Sequence, residues 1–235
     1  LRHNDVKLKT FDQYQNPALA VDLVVLGYQL GQLQVLLLNR KEAPFANRWT
    51  LPGAFLQFTE TFQQTCHRIL DSKLGMRNLY LEQLYSFDQP DRDPRGRVIA
   101  VAYYALINPA NYKTAAGTMA NDVKWFPVHE LPDPAFDHQN IIQTALKRLQ
   151  AKILYQPTGF ELLDQDFTIA DIQELYECIL GRELDRRNFR RKFLDARYIL
   201  PTGAKRGNLK NRHPELYRFN KDLPLQKFHL NIELP

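Results

Sequence analysis

The sequence predicts an α+β chain in two parts: a mixed-sheet unit over 16–150, then a smaller unit of helix, basic helix and hairpin over 155–235. Three observations predict it. Strand-sized apolar runs alternate with amphipathic helical stretches in the first part. A loop holding Pro157 and Gly159 interrupts that pattern. Beyond the loop the charge changes: eleven basic residues stand against two acids between Arg186 and Arg218, although the whole chain carries only +5. A length of 235 residues, 44% hydrophobic and 11% aromatic, lets two domains each bury a core.

The elements follow in order. Ala18 to Gly27 reads as a strand, Gly31 and Gln32 as a turn, and Leu33 to Arg40 as the return strand of a hairpin. After a loop with Pro44 and the segment Arg48 to Gly53 comes a helix over 61–74. Its apolar residues Phe62, Cys66, Ile69, Leu70 and Leu74 recur at three- and four-residue spacing, and Gly75 supplies the stop. Strands are predicted over 79–87, 97–107 and 123–127. A helix over 139–154 carries Ile142, Ala145, Leu146 and Leu149 on one face. In the second part Thr168 and Asp171 form a capping box, Ile169, Ile172, Leu175, Tyr176 and Ile179 a buried stripe, and Gly181 the helix end. Asp185 caps the next helix, and 197–201 with 216–219 make a two-stranded wing.

No apolar run approaches the roughly 18 residues of a membrane span. The first residues lack the apolar segment of a secretory signal. Cys66 and Cys178 fall on apolar faces of separate helices and read as buried free thiols. The expectation is a soluble, cytoplasmic protein with no membrane partner.

The basic window holds a surplus of nine positive charges, so the rest of the chain is net negative by four. Such asymmetry points to a polyanionic partner. On a helical wheel Phe189, Phe193 and Ala196 cluster on one face. Arg187, Asn188 and Arg191 lie opposite, with Arg190 at the flank and Arg186 and Lys192 beside them. This reads as the second helix of a winged helix-turn-helix. Arg pairs with guanine and Asn with adenine in the major groove of duplex DNA. A-form RNA closes that groove to side chains, which favours DNA. The segment 202–213, with Lys205, Arg206, Asn208, Lys210 and Arg212, reads as a basic wing for phosphate or minor-groove contact.

The stretch from Trp49 to Met76 resembles the Nudix box: Gly, five residues, Glu, seven residues, Arg-Glu-apolar-x-Glu-Glu-x-Gly-apolar. Ala54 occupies the glycine position. Glu60, Arg68, Leu70, Gly75 and Met76 match, while Ile69, Ser72 and Lys73 stand where the family has glutamates. The resemblance implies an α/β/α sandwich with a mixed sheet. Spacing of i, i+3, i+4 puts positions 69, 72 and 73 on one helix face. In the family, carboxylates there hold divalent cations, for which magnesium needs hard oxygen ligands. Ile69 supplies none, and Lys73 repels a cation. No catalytic residue and no metal ligand is therefore assigned, and Glu60 with Arg68 reads as a structural ion pair.

Asp88 to Tyr104 resembles a segment of a Nudix subgroup linked to ADP-ribose and NAD metabolism. Arg92, Arg95 and Arg97 are candidate phosphate ligands, because guanidinium binds phosphate bidentately. Phe87 and Tyr103 are candidates to face an adenine, and Arg40, Arg48 and Lys73 complete the candidate ligand set. A Nudix domain followed by a winged helix resembles the Nudix-related transcriptional regulators of NAD metabolism. That resemblance implies a homodimeric repressor that binds operator DNA, senses ADP-ribose as effector and needs no cofactor. Two other readings fit the same architecture: a working hydrolase of ADP-ribose-like substrates, and a sugar-responsive regulator.

Overall fold

The computed structural model describes residues 15–76, 79–112, 120–207 and 213–222. A seven-stranded mixed sheet organises the first part. Strand β1 (Ala18–Gln29) pairs antiparallel with β2 (Gln32–Arg40) and parallel with β6 (Val98–Ile107). Strands β3 (Trp49–Thr50) and β7 (Ala120–Pro127) lie against β2, β4 (Gly53–Phe55) against β1, and β5 (Tyr80–Phe87) against β6.

Strand β1 is covered on both faces, so its sequence is a continuous apolar run rather than an alternation. Val21, Leu23 and Val25 pack with Leu36 and Leu38 beneath α1 (Phe62–Ile69). Val24 and Leu26, with Leu33, Val35 and Leu37, pack on the other side beneath α2 (His138–Tyr155). The result is the expected α/β/α sandwich.

Helix α1 opens with a capping box. Gln64 N donates to Thr61 Oγ1, and Thr61 N donates to Gln64 Oε1. The helix expected over 61–74 does not continue as α throughout: Leu70–Leu74 is a π-helical turn, closed by Gly75 in the left-handed region. The i→i+5 turn fits an extra residue into the helix and changes which side chains share a face. Ile69 and Leu70, adjacent in sequence, are both fully buried, whereas Ser72 and Lys73 turn to the neighbouring cleft. Of positions 69, 72 and 73, only Ser72 and Lys73 line that cleft, and Ile69 lies in the core.

In the second part α3 (Ile169–Leu180) starts at the Thr168–Asp171 capping box and ends at left-handed Gly181. Helix α4 (Arg186–Asp195) is capped by Asp185, whose carboxylate accepts from Asn188 N. Strands β8 (Ile199–Lys205) and β9 (Glu215–Phe219) form the wing. Phe189 and Phe193 dock α4 against Tyr176, with ring centroids 5.5 and 5.3 Å away. Ala196 is exposed as the C-cap rather than docked, because the helix has already ended.

The two parts share one core. The cluster holding Val24, Ile142 and Leu149 continues into Leu175, Tyr176 and Phe193 without a break. Gln150 Nε2 donates to Ile179 O at 2.9 Å, and Asn108 Nδ2 donates to Asp164 Oδ1 at 2.8 Å. Cys66 is buried and Cys178 half-buried, both as free thiols. Among the described residues no helix is long and apolar enough to cross a membrane.

Candidate functional site

A cavity of about 450 Å³ opens between β1, β4, the π turn and the start of α2, within the usual size range of ligand sites. Six basic and three acidic side chains line it, so its field is positive. Which of those charges remain available decides what it can hold.

Arg92 is fully engaged. Its Nη2 reaches Asp22 Oδ2 at 2.9 Å and Asp137 Oδ1 at 2.7 Å, and its Nε reaches Asp137 Oδ2 at 3.0 Å. The guanidinium is 4% exposed, so this is a buried structural triad. Arg68 is engaged by Glu60 through two bonds of 2.6 and 2.8 Å, as the retained pair of the box suggested. Those bonds, with help from Thr65, hold the Glu60 carboxyl down at about 2. Arg95 pairs with Asp93 at 2.6 Å, its guanidinium lying 5.2 Å from the Phe55 ring and 5.8 Å from Phe136.

Arg40 and Lys73 are different: among the described residues neither has a carboxylate partner. Arg40 Nε donates to Pro44 O at 2.8 Å, and its guanidinium stacks 5.1 Å from Phe136. Lys73 Nζ donates to the backbone carbonyl of Gly53. Burial, then the nearby Arg40 charge, lowers the Lys73 pKa below its ordinary value. Gly53 must be glycine, because a Cβ there would lie 2.5 Å from Asp22 Oδ1. Two cations with no carboxylate in direct contact among the described residues, one of them largely desolvated, favour an anionic ligand. Phe55 and Phe136 add apolar ring surface for a flat or sugar-like group.

Four of the eight ligand candidates from the sequence therefore line the cavity: Arg40, Lys73, Arg92 and Arg95. The other four do not. Arg48 lies at Asp133, 2.5 Å away. Phe87 is buried in the core against Tyr85. Arg97 is exposed and donates to Asp88 O. Tyr103 sits on the sheet, with its hydroxyl on Gln83 Oε1 at 3.2 Å. Sequence reasoning did not name Asp22, Phe55, Phe136 or His138. Asp22 had a signal, since a carboxylate inside an apolar strand needs a buried partner. Phe136 had none: it reaches the cavity from a loop, with φ 57.

His138 is the first residue of α2 and forms part of the cavity floor. Leu51 N donates to its Nδ1 at 2.9 Å, so the neutral ring carries its proton on Nε2, 3.6 Å from Asp22 Oδ1. Burial lowers its pKa from the ordinary 6.5, against the opposing pull of Asp22. A base depressed in the folded state binds protons first in the unfolded state, so stability is present above about pH 6.5 and falls as pH drops below it. Denaturant midpoints measured from pH 8 to pH 5 should therefore decline in the native chain and decline less in His138→Gln. Parallel profiles would remove this assignment.

On the second part Arg186, Arg187, Asn188, Arg190 and Arg191 are exposed along α4, while Lys192 is half-buried. Arg191 Nη2 donates to Asn188 Oδ1 at 3.0 Å, so the two present one polar unit. Lys205 is exposed at the end of β8. Arg206 is bound to Asp171 at 2.5 Å. Asn208, Lys210 and Arg212 lie outside the described residues.

Comparison with known proteins agrees with this two-part reading. The NUDIX domain matches residues 16–149, and the NrtR DNA-binding winged helix domain matches 159–219. The chain is 34% identical to the ADPR responsive transcriptional repressor NtrR of Acinetobacter baylyi, over 93% of this chain and 87% of that protein. This chain belongs to the NrtR family of Nudix-domain transcriptional regulators. Shewanella oneidensis NrtR, crystallised with a 27mer DNA, resembles this NrtR-family chain with a TM-score of 0.78. Identity is 34%, covering 87% of this chain and 94% of that one. The NUDIX domain of the same Shewanella protein, crystallised with ADP ribose, matches with a TM-score of 0.52 and 36% identity over 58% of this chain and 90% of that domain.

Proposed function

We propose that this chain is a DNA-binding transcriptional repressor of NAD-metabolism genes, working as a homodimer. Its Nudix cavity takes ADP-ribose as an effector and does not hydrolyse it. The single observation that carries the reading is Lys73. Its ammonium sits on the Gly53 carbonyl at a position where the Nudix box has a glutamate. A tethered cation there, with Arg40 nearby, offers the pyrophosphate what a divalent metal would otherwise supply. Relatives support both ligands: one is named for its response to ADP-ribose, and another was crystallised with DNA.

The test is calorimetry with ADP-ribose in EDTA. Binding should be unchanged by chelation, and Lys73→Met should weaken it by about 1.5–3 kcal/mol, the worth of a charged hydrogen bond. That is roughly 10- to 150-fold in Kd. Binding that requires magnesium, or turnover at about 1 per second or faster with it, would instead make the chain a hydrolase.

A further inference from the structure

We propose that Arg206 is a positioning residue for DNA binding: it locks the wing onto α3 through Asp171 and does not itself hold a phosphate. The sequence alone puts Arg206 among the wing's DNA contacts. The geometry puts it elsewhere. Its Nη1 and Nη2 meet Asp171 Oδ1 and Oδ2 at 2.9 and 2.5 Å, fork on fork. Asp171 is no stray surface acid. It is the third residue of α3, its Oδ2 accepts from Thr168 N at 2.7 Å, and its own amide donates to Thr168 Oγ1. The ion pair therefore joins the end of β8 to the capping box of the first helix. The carboxylates of Asp164 and Glu174 add to the negative field at the Arg206 guanidinium. A phosphate approaching Arg206 would have to displace one acid and face two more.

The same segment grips the second wing strand. Arg218 on β9 pairs with Asp166 at 2.7 Å. Between the two ion pairs, Phe167 and Tyr217 exchange backbone hydrogen bonds of 3.0 and 2.7 Å. Arg206 N also donates to Pro214 O at 2.9 Å, extending the hairpin by one pair at its loop end. The 164–171 segment thus holds both wing strands, and two of the eleven basic residues are consumed in doing so. Lys205, Arg197 and the exposed arginines of α4 are the basic residues of this window, among the described residues, that are exposed and have no carboxylate in contact.

This inference rests on the DNA-binding reading, and Asp171→Asn separates the two. Asparagine keeps one oxygen to accept from Thr168 N, while its amide nitrogen replaces the other oxygen, so the charge and one of the two acceptors for Arg206 are lost. If Arg206 held a phosphate, Asp171→Asn would release it and tighten binding. The experiment is a salt titration of the full-length chain on duplex DNA from its own genomic neighbourhood, using native protein, Asp171→Asn, Arg206→Ala and the double variant. Both single variants should weaken binding by about fivefold, the ratio set by the upper worth of a solvent-facing ion pair. The double variant should be no weaker than either single one. ADP-ribose affinity, read by calorimetry, should stay native and show that the fold is kept. Tighter binding by Asp171→Asn with a steeper salt dependence, or native affinity in that variant, overturns the proposal. Absence of DNA binding by the native protein would instead refute the functional reading on which it stands.

Discussion

Arg92→Met should cost about 3–5 kcal/mol of folding stability, the expected penalty when one member of a buried ion network is removed. The guanidinium is 4% exposed, and the Asp22 and Asp137 side chains are 9% and 18% exposed. Without Arg92 two carboxylates would share one poorly hydrated space with no cation between them. For a chain of this length that loss corresponds to a fall in Tm of about 6–20 °C. The damage should reach the cavity as well. Asp137 precedes α2, and its neighbours Phe136 and His138 form part of the cavity wall. Thermal melts and ADP-ribose calorimetry on the same variant check both halves. A loss under about 1 kcal/mol would mean that Arg92 is a solvated surface arginine after all, as a Pro- and Gly-rich loop would suggest.

The contrast between Arg92 and Lys73 shows what the sequence could and could not disclose. Elements set by local chemistry were legible. The apolar run of β1, the capping box at Thr168 and the stop at Gly181 each depend on residues within a few positions of one another. Lys73 was legible too, because it breaks a motif whose chemistry is known. Arg92 was legible as a cavity residue but not as a neutralised one, since its partner Asp22 is 70 residues away in sequence. Arg206 misled for the same reason, with Asp171 35 residues distant. The π turn escaped because Ile69 and Leu70 fit a plain α-helical stripe as well as they fit the observed one. What sequence spacing cannot supply is the identity of the counter-charge, and the counter-charge decides whether an arginine binds ligand or holds the fold.

Phe193→Ala should shift an unfolding signal that originates in the other domain. Phe193 is fully buried, with its ring 4.5 Å from Phe189 and 5.3 Å from Tyr176, so truncation should cost about 3–5 kcal/mol. The chain has two tryptophans, Trp49 on β3 and Trp125 on β7, and both lie in the Nudix domain. Their fluorescence therefore originates in that domain. If the two domains unfolded separately, a winged-helix cavity would leave the tryptophan transition in place. The shared core predicts otherwise. Val24 and Leu26 of the sheet belong to the same buried cluster as Leu175, Tyr176 and Phe193, and Gln150 binds the end of α3 directly. Urea unfolding followed by tryptophan emission should show one transition that moves to lower denaturant in Phe193→Ala, with the slope retained. A tryptophan midpoint that stays at its native value, while far-UV circular dichroism splits into two steps, would show that the core is continuous in space but not in energy. The coupled outcome has a functional consequence. With a shared core, strain at the cavity would have a route to α4 through packed side chains rather than across a flexible linker.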